Sequence, residues 1–193
     1  MQLSTGPLLT ARDLGAIKGE RVLFSGIDVK LTAGEAIVLR GANGSGKSTL
    51  LRLIAGLTRP DAGQVQRETP HHWLGHRDGV KPHETPAQHL RHWVRAWGSD
   101  ADPEDVACQM GLERPMDVPG RLLSAGQRRR TAIGRLLLVE RPVWLLDEPF
   151  TALDAEGRAL LTSLIADHRA AGGGIIVALH GDAPFEATRE MVL

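Results

Sequence analysis

Gly41-Ala42-Asn43-Gly44-Ser45-Gly46-Lys47-Ser48 has the spacing G-x-x-x-x-G-K-[ST]. Each part of that pattern has a chemical purpose. The glycines let the backbone curl so that successive N–H groups face one point and can hold phosphate oxygens. A helix starting at Lys47 would add its positive end. Lys47 can reach the β- and γ-phosphates, the Ser48 hydroxyl can ligate Mg²⁺, and Thr49 completes the phosphate-binding run. The competing reading is a glycine-rich turn that matches by chance. The flanks decide against it: the apolar run Ala36-Ile37-Val38-Leu39 leads in as a buried strand, and Leu50, Leu51, Leu53 and Ile54 mark an apolar helix face after it. This motif alone implies a nucleotide site and nothing narrower.

Leu123-Ser124-Ala125-Gly126-Gln127 is a second candidate phosphate grip. Ser124 and Gly126 stand at a predicted helix start, where a hydroxyl, backbone N–H groups and the helix dipole favour an anion. Taken alone it could equally be an ordinary N-capped helix. It resembles the LSGGQ signature of ABC ATPases, with Ala125 in place of the first glycine. Further landmarks of that family follow in order. Val143-Trp144-Leu145-Leu146-Asp147-Glu148-Pro149 resembles the Walker B strand, Thr151-Ala152-Leu153-Asp154 the D-loop, and His180 the switch histidine. The resemblance implies that Asp147 holds Mg²⁺, that Glu148 is the general base for the attacking water, and that Lys47 and His180 act on the γ-phosphate. It also implies a head-to-tail dimer, with Ser124, Gly126 and Gln127 of one copy completing the ATP site of the other.

Two positions depart from the family. Its adenine-stacking aromatic has no counterpart in Ala16-Ile17-Lys18-Gly19, and the chain contains no tyrosine, so Ile17 is expected against the base. The usual Gln before the helical insertion is replaced by His76, within Leu74-Gly75-His76-Arg77-Asp78-Gly79-Val80-Lys81. His76 is therefore carried as a candidate metal contact. That LGHxxGxK pattern, with Leu51–Gly63 and Asp147–Asp154, is similar to the family branch of ATP-binding subunits of bacterial cytochrome c maturation, also described as haem exporters. The branch implies a transmembrane permease subunit, haem-handling proteins and a peripheral place on the cytoplasmic face of the inner membrane. Another ABC exporter, or a soluble non-transport ABC ATPase, remains the alternative.

The elements around these residues read as α/β. Short β-like runs around Gly6, Gly15, Gly19 and Gly26 suggest an N-terminal antiparallel β subdomain. The strand-helix alternation that follows predicts a P-loop NTPase core with a mainly parallel sheet. Pro142–Leu146 and Ile175–Leu179 read as buried strands, and 155–171 as a helix ended by Gly172-Gly173-Gly174. Thr85-Pro86 and Asp102-Pro103 each start a helix, and Ser124 caps a long one running to Leu138. The result is one domain over 1–193, with a core at 1–75 and 140–193 and a small inserted helical subdomain at about 76–139.

Six of the eight histidines lie between His71 and His92. One reading is a haem or metal site using His89 and His92; the other is a solvated face toward the membrane partner. No cysteine or carboxylate completes a metal set at fixed spacing there. Trp93 and Trp97, at i and i+4, suit the core or a docking face, and Arg128-Arg129-Arg130 reads as a solvated helix face.

Composition narrows the classes. The chain has 193 residues and a formal charge of zero, so no basic field argues for nucleic acid. Cys108 is the only cysteine, which allows no internal disulfide. Met1 to Thr10 lacks the pattern of a signal peptide, and no run approaches the ~18–20 apolar residues of a spanning helix. Any membrane part must come from another chain.

Overall fold

A computed structural model describes residues 6–193; Met1–Thr5, at the head of the segment read above for a signal peptide, lie outside the described residues. The chain forms two compact units. The first comprises the described residues up to Gly75 together with Arg141–Glu148 and Ile165–Leu193, and the second His76–Glu140 and Pro149–Leu164.

In the first unit, β1 (Leu9–Lys18) and β2 (Arg21–Leu31) pair antiparallel, and β4 (Ala62–Arg67) joins β1 on its other side. These strands are longer than the sequence suggests. Gly15 and Gly26 lie inside strands rather than in turns, and the sheet absorbs them as register shifts between Ala11 and Ile17. Such bulges bend a strand without ending it, so glycine is a poor stop signal here.

The second sheet is all parallel: β3 (Ala36–Arg40), β5 (His71–Leu74), β6 (Val143–Asp147), β7 (Gly174–Ala178) and β8 (Arg189–Val192), in the order β5-β6-β7-β3-β8. The three inner strands are apolar and buried along almost their whole length, as two covered faces require. Helix α1 (Lys47–Ile54) turns Leu50, Leu51, Leu53 and Ile54 into the core with Leu9, Leu31, Ile37 and Ile176. Each such aliphatic side chain contributes roughly 1.5–3 kcal/mol by leaving water.

The second unit is helical. Thr85 accepts from Gln88 N–H and forms a capping box at the start of α2 (Pro86–Trp97), and Gly98 ends that helix in the left-handed region. Asp102 accepts from Glu104 N–H at 2.8 Å and caps α3 (Pro103–Gln109). Ser124 and Gln127 form a second capping box on α4 (Ala125–Gly134). Each cap stabilises its helix by about 1 kcal/mol. The helix expected to reach Leu138 stops as α-helix at Gly134 and tightens into a 3₁₀ turn over Arg135–Leu137. A Cβ on Gly134 would stand 3.2 Å from Leu90 and 3.3 Å from Val106, so this glycine lets α4 lie close against α2 and α3. Helix α5 (Ala155–Ala170) begins in the second unit and ends in the first.

Two surface expectations are overturned here. Arg129 and Arg130 are buried, at 2 % and 8 % exposure. Arg129 is paired with Asp78 at 3.0 Å and Arg130 with Asp154 at 2.6 Å, and these carboxylates offset the cost of burying the guanidinium groups. The histidine-rich stretch is likewise not one solvated face, because His72 and His89 are buried. His89 Nδ1 lies 3.0 Å from Glu84 Oε2, and burial pushes its pKa down despite that carboxylate. Trp93 and Trp97 lie with ring centroids 4.7 Å apart, both half-buried.

Candidate active site

The phosphate loop closes only because certain residues are glycine. Gly41 has φ 137° and Gly46 has φ 110°, where L side chains are strained. A Cβ on Gly41 would fall 2.6 Å from Ser45 Oγ, and one on Gly46 would fall 2.9 Å from the Phe24 ring. Gly46 is the N-cap of α1 and brings no side-chain acceptor. The first-turn N–H groups are thus left for a ligand. Lys47 is buried, and its Nζ donates to the carbonyls of Gly41 at 2.7 Å and Ala42 at 3.0 Å. An ammonium has three donors, so this leaves one for a phosphate oxygen. Ser45 Oγ is buried without a hydrogen-bond partner inside the loop. Ala42, Asn43 and Gly44 form the exposed tip, and Thr49 is half-buried on α1.

The loop and β6 meet at a pair of hard oxygen donors. Ser48 Oγ donates to Asp147 Oδ1 at 3.0 Å, and Asp147 is 1 % exposed at the end of β6. A hydroxyl and a carboxylate suit Mg²⁺, which takes one or two protein oxygens and leaves its other positions to phosphate and water. The residues present fit such an ion.

One residue further on, Glu148 has φ 50°. This strained conformation costs on the order of 1–3 kcal/mol and persists only where the surroundings hold it. Its N–H donates to Ala178 O at 3.0 Å, and His180 Nε2 donates to its Oε1 at 2.8 Å. The imidazole N–H is the donor, because a carboxylate oxygen accepts. Strand register explains the meeting. Asp147 pairs with Ala178 across β6 and β7, so Glu148 and His180 both leave the sheet just past that rung.

Ser124, Gly126, Gln127 and His76 belong to the second unit. Ser124 is exposed at the N-terminus of α4. A Cβ on Gly126 would lie 3.0 Å from Ala152 O, so the signature turn and the following D-loop segment are in close approach. Ala152 itself has φ 65°. Asp154 accepts from Gly157 N–H at 2.9 Å and pairs with Arg130; these two contacts hold its carboxyl below the usual range. His76 is exposed on the loop after β5. Ile17 is 54 % exposed on β1, opposite Val22 at 58 %, and its N–H donates to Asp61 Oδ2 at 2.7 Å.

Three contributors escaped the sequence reading. Phe24 sets the wall against which Gly46 turns. Arg40, just before the loop, holds Glu190 at 2.7 Å and also donates to the carbonyl of Gly181, next to His180. Arg129 donates to the carbonyl of Pro149, next to Glu148. Phe24 carried one signal, a lone aromatic in a β-like run; the arginines carried none, because their partners are distant in sequence.

The family model described as "ABC transporter" matches residues 24–151. A curated relative from Hyphomonas neptunium, the "Cytochrome c biogenesis ATP-binding export protein CcmA", is 58% identical over 193 residues, covering 100% of both chains. A protein of the same name from Rhodopseudomonas palustris is 44% identical over 95% of this chain and 96% of its own length. Among solved structures, "Structure of ATP binding subunit of ABC transporter" aligns with a TM-score of 0.80 at 25% identity, over 90% of this chain and 79% of that one. A putative ABC transporter ATP-binding protein from Pyrococcus furiosus aligns at 0.78 with 20% identity, over 96% of each chain, and shares the fold.

Proposed function

This chain belongs to the ABC transporter family and is an ABC-type ATPase, and from that premise we propose that it is the ATP-hydrolysing subunit of the export complex that serves cytochrome c biogenesis. The observation that carries the biological role is the 58% identity over the full length of both chains with the Hyphomonas protein of that name.

The geometry supports the chemistry of the γ-phosphate. The loop 41–48 binds the phosphates through backbone N–H groups, and Lys47 neutralises them. Ser48 and Asp147 would hold Mg²⁺, which supplies charge to the β- and γ-phosphates. Glu148 takes a proton from the attacking water, and His180 keeps its carboxylate oriented. His76 is a further candidate contact for that ion through an imidazole nitrogen. Ile17 gives adenine an apolar contact.

The chain works as one half of a dimer in which Ser124, Gly126 and Gln127 of each copy close on the ATP held by the other. Among the described residues no helix is long and apolar enough to cross a membrane. A transmembrane permease subunit completes the complex. The chain sits on the cytoplasmic face of the inner membrane, with haem-handling proteins as further partners and no nucleic acid. The test is affinity purification from solubilised membranes with identification of what co-purifies. A permease with several spanning helices beside cytochrome-assembly proteins is expected. Recovery with an unrelated exporter's permease instead would overturn the assignment.

A further inference from the structure

Three segments of the second unit converge on one side chain. Arg129 lies one turn into α4, the helix that opens at Ser124. The residue is 2 % exposed and its side chain 3 %. Nη1 donates to Asp78 Oδ1 at 3.0 Å, and Nε donates to the carbonyl of Pro149 at 3.1 Å. Asp78 stands two residues after His76, and Pro149 directly follows Glu148. One planar fork therefore joins the helix behind the signature, the loop that follows β5 and the peptide after the proposed base.

The conformation of Glu148 makes that third link consequential. Its φ of 50° needs external restraint. Its N–H is held by Ala178 and its carboxylate by His180. The next carbonyl along the chain is held by Arg129. Proline at 149 fixes its own φ near −65° and offers no N–H, so a carbonyl bond is the hydrogen bond its backbone can make.

We infer that Arg129 is a positioning residue for Glu148: it fixes the Pro149 carbonyl while Asp78 fixes its own guanidinium. The inference rests on the reading of Glu148 as general base. A loss of this tether leaves nucleotide binding intact, because the phosphate loop does not depend on it, and displaces the base. A displacement of about 1 Å at a reacting group lowers a rate by as much as ~100-fold.

The test compares wild type, Glu148→Gln, Arg129→Lys and Asp78→Asn as full chains, measuring single-turnover hydrolysis, ATP Kd and the thermal midpoint. Arg129→Lys keeps a charge for Asp78 but loses the fork that reaches both acceptors. Its rate should fall about ten-fold or more, with Kd within about two-fold and a small change in midpoint. Asp78→Asn leaves the bond to Pro149 and should lose less. A wild-type rate for Arg129→Lys overturns the inference, and so does a parallel fall in rate, affinity and midpoint, which marks a merely structural ion pair. Should the single variants not fold, Arg129→Met with Asp78→Leu removes both charges together. Slow turnover with normal Kd in that double variant supports the inference, and wild-type turnover overturns it. Glu148→Gln separates the two readings. Full turnover there means the assignment of the base has failed; an inactive Glu148→Gln leaves Arg129→Lys to judge the inference alone.

Discussion

His180 Nε2 reaches Glu148 Oε1 across 2.8 Å, from the strand beside the one that delivers Glu148. The contact ties the residue that would sense the γ-phosphate to the residue that would activate water. It arises because β6 and β7 pair in parallel and end at the same rung, Asp147 opposite Ala178. Two parallel strands bring their ends to one edge of the sheet, which is where α/β proteins place ligands.

Glu148→Gln should bind ATP normally and lose turnover by about 100-fold or more, because the amide keeps the shape and cannot take the proton. Nucleotide binding by fluorescence and phosphate release on the same preparation separate the two effects. Normal turnover would remove Glu148 from the mechanism.

The same variant should shift from monomer to dimer when ATP is added. Each site then draws Ser124 from the other copy, and ATP stabilises the state that binds it twice. Light scattering with and without ATP reads the mass directly. A mass that stays monomeric at high protein concentration counts against the sandwich.

His76→Gln should retain most activity and His76→Ala should lose turnover, because a glutamine oxygen accepts a hydrogen bond as an imidazole nitrogen does and a methyl group cannot. Phosphate release by wild type and both variants under one condition measures this. Wild-type turnover in His76→Ala would leave His76 without a chemical role.

His168 supplies a stability switch unrelated to catalysis. Its ring stacks on Trp144 with centroids 4.0 Å apart, and burial pulls its pKa from 6.5 down to about 4. The folded state thus binds a proton less readily than the unfolded chain. The stabilisation is fully present well above pH 6.5 and is lost as pH falls through 6.5 toward 4, on the order of 3 kcal/mol in all. His168→Phe keeps the stacking and removes the titration. Urea unfolding of both proteins at pH 7 and pH 5 should give a smaller acid loss for the variant. Equal losses would place the acid sensitivity elsewhere.

What the sequence determined by itself was local. The phosphate loop, the caps at Thr85, Asp102 and Ser124, and the three inner strands were legible because each signal sits within a few neighbouring residues. Strand β5 hid inside a histidine-rich run as His71–Leu74, and β8 is a mostly exposed Arg189–Val192 with no apolar alternation to read. Both are edge strands, defined by the neighbour they pair with rather than by their own composition. The tertiary structure alone decided that Arg129 and Arg130 are buried pairs and that Glu148 meets His180. Parallel strands are joined by long crossovers, so their register, and every contact that depends on it, is set by packing between segments far apart in the chain.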